Sequence, residues 1–89
     1  MLDAQVIWDL PDEEDGNVEH LAEHGITPEE AEEVLFDPNS ETTRSRTSGE
    51  NITFGETGEG RYLAVVWEHI DDNPLTLRPI TAYEVPRPR

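Results

Sequence analysis

His20-Leu21-Ala22-Glu23-His24 reads H-x-x-E-H. On a helix this spacing puts both imidazoles on one face, the pattern in which an inverted zincin holds its metal and uses the glutamate as base. A catalytic zinc needs a third protein ligand, and His24-Gly25 is expected to end the helix first. The competing reading makes the imidazoles boundary residues, with His24 favoured at a helix C-terminus by the partial negative charge there. No metal or other cofactor is expected. The second constellation is arginine. Arg44 and Arg46 alternate on a predicted strand and so share a face, while Arg61 and Arg78 come from two further strands. Three or four guanidinium groups converging there would recognise a phosphate bidentately. Against this stand 21 carboxylates, any of which can take an arginine into a surface ion pair of little energetic weight. Asp71-Asp72 and Glu29-Glu30 fit turn and helix-start positions better than acid/base dyads.

The elements that would carry these groups follow from pattern. Residues 5–8 are short, β-branched and aromatic, and predict a strand closed by Leu10-Pro11. An acidic loop follows, and a helix starts near Asp15 or Asn17, either of which can cap it; Val18, Leu21 and Ala22 share its inner face. Gly25 suits the left-handed position just past its end. Thr27-Pro28-Glu29-Glu30 then combines an N-cap hydroxyl, proline at the first helical position and glutamate at the third. Ala31, Val34 and Leu35 form the buried stripe of this second helix, and Asp37-Pro38 stops it. From residue 41 the period becomes alternating. Strands are expected at 41–47, 51–56, 61–69 and 75–83, joined by turn-rich segments as an antiparallel meander. Residues 63–67 form the most apolar run and should be central, with the helices covering one face. Residues 41–46 should be an edge. Trp8 and Trp67 belong to the core, and the tail 85–89, with two prolines, is expected to be extended and mobile. The fold class is α+β: a strand, two short helices and a four-stranded antiparallel meander in one domain, residues 1–84.

Composition restricts function. Leu, Ile, Val and Phe number 20 of 89 residues, just above the roughly 20% below which a highly charged chain stays unfolded. The formal net charge is −15, and all six basic residues are arginine. Nucleic-acid affinity comes largely from basic residues neutralising phosphates, so RNA is a disfavoured partner and a basic protein a favoured one. With no cysteine, disulfides and zinc–thiolate sites are excluded. The first residues lack the pattern of a leader and no apolar run approaches a membrane span, so a cytoplasmic protein is expected.

Several strings resemble the BrnT family of bacterial toxins: Trp8-Asp9, Asn17, Glu23-His24-Gly25-Ile26-Thr27-Pro28-Glu29-Glu30-Ala31 and Phe36-Asp37-Pro38. Later pieces are similar as well: Gly58-Glu59-Gly60-Arg61-Tyr62-Leu63-Ala64-Val65-Val66-Trp67 and Leu77-Arg78-Pro79-Ile80-Thr81-Ala82. The resemblance spans roughly residues 6–84. It implies a RelE-like fold and a metal-independent endoribonuclease, the toxin of a toxin–antitoxin pair, neutralised by a basic-armed antitoxin. Carried onto this chain, it makes His24 or His20 the proton-transfer group, places Arg46 with them at the reacting phosphate, and adds Arg44, Arg61 and Arg78 as RNA contacts. Glu23 stands where the family has lysine and Tyr83 where it has arginine, and a short Pro-Arg tail replaces a basic helix. These exchanges support a second expectation, a non-catalytic acidic module of the same fold that binds a basic protein. Convergence of His24 with the arginines would favour the enzyme, and dispersal into ion pairs the module.

Overall fold

The structure is a computed structural model that describes residues 4–45 and 49–88. In chain order it has β1 (Gln5–Val6), α1 (Asn17–Glu23), α2 (Pro28–Phe36), β2 (Glu41–Arg44), β3 (Asn51–Glu56), β4 (Tyr62–Asp72) and β5 (Leu75–Glu84). The class is α+β. The five strands form one sheet in the order β1-β5-β4-β3-β2, with the apolar β4 at its centre and the fully exposed β2 at one edge. The sheet is not purely antiparallel, which corrects the expected arrangement. β2 to β5 do form an antiparallel meander, but β1 pairs with β5 in parallel, Gln5 opposite Thr76 and Val6 opposite Leu77. β5 would otherwise be an unpaired edge, and β1 covers part of it before the chain crosses through the helices to the other side.

Alternation along the strands sorts the sheet into two unlike faces. Leu63, Val65 and Trp67 of β4 and Leu77 and Ala82 of β5 meet Leu21, Ile26, Ala31, Val34 and Leu35 from the helical side, all nearly inaccessible to solvent. Ala4, Val6 and Trp8 extend this core. The Trp67 indole donates to Thr53 Oγ1 (2.8 Å) and that of Trp8 to Glu32 Oε2 (2.7 Å), as buried or half-buried indoles require. The opposite face carries Ile52, Phe54, Tyr62, Val66 and Tyr83 at intermediate or full exposure. Helices cover only one side.

Helix α2 forms as its sequence dictates. Glu30 N–H donates to Thr27 Oγ1 (3.2 Å) and Thr27 N–H to Glu30 Oε1 (3.1 Å), a reciprocal capping box with Pro28 at the first position. Helix α1 starts differently from expectation. Neither Asp15 nor Asn17 caps it locally; Gly16 is the N-cap residue and makes no side-chain bond, while Asn17 N–H donates to the distant Asp9 Oδ2 (2.9 Å). Its end follows the Schellman pattern. Gly25, at φ 72°, donates to Ala22 O (2.9 Å) and Ile26 N–H to Leu21 O (3.0 Å), which buries Ile26.

Gly55 marks a close approach within β3. A Cβ there would collide with Ser40 Oγ and stand 3.1 Å from Val34 Cγ1, and Ser40 Oγ itself donates to Val34 O (2.6 Å) at the end of α2. Gly55→Ala is therefore expected to cost about 2 kcal/mol through overpacking and loss of that bond. A drop in the urea midpoint with an unchanged slope would register it.

Candidate functional site

At the α1–α2 junction one imidazole meets a tyrosine ring and one guanidinium holds the backbone. His24 is the exposed C-cap residue of α1, and its ring lies 6.1 Å from that of Tyr83 on β5, tilted by 59°. The next carbonyl, Gly25 O, accepts from Arg61 Nη1 (3.1 Å). Arg61 immediately precedes β4, where its backbone N–H donates to Thr57 Oγ1 (3.1 Å) and Thr57 N–H returns to Arg61 O (2.8 Å). That turn fixes where the guanidinium points. It meets Glu30 Oε2 at 2.8 Å and Glu84 Oε1 at 3.2 Å, so one arginine ties together the end of α1, the start of α2 and strands β4 and β5.

The electrostatics agree with a structural clamp. Burial pushes the Glu30 carboxyl up, but the Thr27 N–H and the Arg61 guanidinium outweigh it and leave its pKa below the usual 4.5. Hydrogen bonds donated to Glu30 and then to Glu84 raise that of Arg61 further. A carboxylate depressed in the folded state contributes stability above its unfolded pKa and loses it as pH falls through the folded value. Glu30→Gln is accordingly expected to melt below the parent at pH 7. The gap should close as pH drops below about 4.5, which melting curves of both proteins across that range would show.

The other arginines stand elsewhere. Arg78 on β5 reaches Asp9 Oδ2 at 2.6 Å and has Glu68 Oε1 at 3.9 Å. Arg44 on β2 donates through Nε to Gly49 O (3.2 Å). It pairs across to Asn51, whereas Arg61 precedes Tyr62, which pairs with Glu56. Five β3 positions at roughly 3.3 Å each put about 17 Å between the two ends. Arg78 sits on β5, three strands from β2, a further separation of roughly 14 Å. The expected clamp of Arg44, Arg61 and Arg78 on one phosphate is thus not assembled, because each side chain is engaged where its strand places it. Arg46 falls outside the described residues.

His20 faces Glu23 at 3.9 Å along its own helix. Among the described residues no three His, Asp or Glu side chains gather closely enough to hold a metal ion, and no helix is long and apolar enough to cross a membrane.

The tail makes contacts that its composition did not announce. Val85 N–H donates to Tyr62 O (3.0 Å). Arg87 then forks onto Glu56, Nη1 to Oε2 at 2.9 Å and Nη2 to Oε1 at 3.1 Å, and also reaches Gly60 O. Its hydrogen bonds and charge hold the Glu56 carboxyl below its usual range. Two prolines flanking an arginine beside a strongly acidic domain were the only advance sign of this contact. Comparison with known proteins finds no matching family, no similar curated protein and no similar solved structure.

Proposed function

We propose that this chain is a non-catalytic acidic module, on the BrnT-like, RelE-like arrangement that its motifs resemble, and that it engages a basic protein segment in the cytoplasm. The observation that carries the reading is the dispersal of its arginines. Arg61, Arg78 and Arg87 are each held by carboxylates, and Arg44 lies at the other end of the sheet from Arg61. No described cluster offers a phosphate the concentrated positive charge that RNA binding requires. The excess carboxylates remain available to a cationic partner, for which complementary charge speeds encounter and sets specificity.

One observation favours a second reading, a toxin-type metal-independent endoribonuclease neutralised by a basic-armed antitoxin. The His24 ring meets that of Tyr83, and Arg61 holds the carbonyl of the next residue, Gly25; a proton-transfer imidazole one residue from a guanidinium contact suits phosphodiester cleavage. A phosphate there must displace both Glu30 and Glu84 from Arg61. Two assays separate the readings. Purified protein at low salt is expected to bind an arginine-rich peptide with an affinity that falls steeply on adding salt, and to leave total bacterial RNA intact without added metal. Cleavage that disappears in His24→Ala overturns the module and establishes the enzyme.

A further inference from the structure

At one end of the uncovered face residues 85–88 of the chain lie over the sheet as a bound peptide would, enclosing a groove against it. Phe54 of β3 and Tyr62 of β4 form its aromatic walls, with Glu41 of β2 at the rim. Residues 85, 86 and 88 of the chain line the same cavity of about 300 Å³. A neighbouring depression of about 310 Å³ shares Glu41, Phe54, Tyr62 and Pro88 and adds Asp37 and Glu56. Aromatic walls with acidic rims are what an extended proline-rich, arginine-bearing peptide requires. Proline presets the extended backbone and packs on the rings, and guanidinium forks onto carboxylate.

We propose that this groove is a recognition site for an extended arginine–proline segment of a partner protein, and that the chain's own residues 85–88 occupy it as an intramolecular competitor. This rests on the acidic-module reading and specifies its partner. The tail shows the mode of binding. Val85 continues from β5 with one backbone bond to Tyr62, Arg87 makes the two-point contact with Glu56, and Pro86 and Pro88 face the cavity. The arrangement is also exchangeable. Arg87 and Glu56 are about half exposed, at 54% and 47%, and prolines have no N–H with which to add ladder bonds. A segment with the same pattern in a longer basic chain can repeat the contact and gain from the other carboxylates around the rim.

A tail that fills the groove roughly 90% of the time reduces the apparent affinity of an outside peptide about tenfold. The test uses the full chain as wild type, Arg87→Ala and the double variant Arg87→Ala/Glu56→Gln, each checked by circular dichroism. The probes are a labelled peptide of alternating proline and arginine and a lysine peptide of equal charge, read by fluorescence anisotropy at low salt. Arg87→Ala is expected to tighten the proline–arginine peptide about tenfold, and the lysine peptide less than about twofold, since only the former competes for the groove. Adding Glu56→Gln should abolish that gain. Equal affinity of wild type and Arg87→Ala, or an affinity that Glu56→Gln does not move, overturns the groove and leaves the acidic module standing. Failure of both peptides to bind any of the three proteins overturns both proposals.

Discussion

Replacing Asn17 with alanine is expected to lower the unfolding free energy by about 3 kcal/mol, as befits a buried polar hub left half satisfied. Asn17 is only 1% exposed. Its Nδ2 donates to Ile7 O (3.0 Å) and to Pro79 O (3.0 Å), and its Oδ1 accepts from Asp9 N–H (2.8 Å). One side chain therefore joins the segment after β1, the first turn of α1 and the middle of β5. Alanine removes all three bonds and leaves two carbonyls and an amide to find other partners. A domain of this size has a total stability of roughly 4–13 kcal/mol, so the loss should appear as a drop in Tm of roughly 15 °C. Asn17→Asp should be worse still. It is nearly isosteric, but it turns the donor toward Ile7 O and Pro79 O into an acceptor and adds charge beside Asp9. If the aspartate variant melted with the parent, the hub would have no such role.

The contrast between Asn17 and Thr27 shows what could be read from sequence and what could not. The capping box of α2 was legible because its partners, Thr27 and Glu30, lie three residues apart and local geometry decides whether they meet. The same holds for Gly25, the helix ends and the apolar run that makes β4 central. Asn17 was legible only as a possible cap. Its actual partners come from as far as Pro79, and its N–H is satisfied by Asp9, which also takes Arg78 across 69 residues of sequence. Pattern fixes which faces are apolar but not which edge a two-residue strand joins, so the parallel β1–β5 pairing was missed. The expected convergence of the arginines is not met for a related reason. Arg78 was correctly placed on a strand and Arg61 falls one residue before β4, yet their carboxylate partners depend on register and on how the helices lie across the sheet. In an acidic chain an arginine has many possible partners, and only tertiary structure selects Glu30 and Glu84 for one and Asp9 for the other.

The two faces of β4 should respond very differently to substitution, and this asymmetry bears on the docking proposal. Leu63 is inaccessible to solvent within the core, opposite Gly55 on one neighbour and Glu84 on the other. Leu63→Ala removes buried methyl groups from a position where strands hold both sides, so little collapse can fill the cavity. A cost of about 3 kcal/mol is expected. Val66, three residues on, projects from the opposite face beside Ile52 and Thr81 and is only partly buried. Val66→Thr places a hydroxyl there that water can solvate, and it should cost less than about 1 kcal/mol. Urea unfolding of both variants at two protein concentrations tests the pair. A Val66→Thr cost rivalling that of Leu63→Ala would mean the second face is covered in solution; if the urea midpoint also rose with protein concentration, the cover would be another copy of the chain. The expected result, one costly face and one tolerant face, leaves Ile52, Phe54 and Val66 as apolar surface leading into the Phe54–Tyr62 groove. An arriving segment can then bury that surface without first displacing a folded layer, and it is residues 85–88, held by Arg87, that have to move.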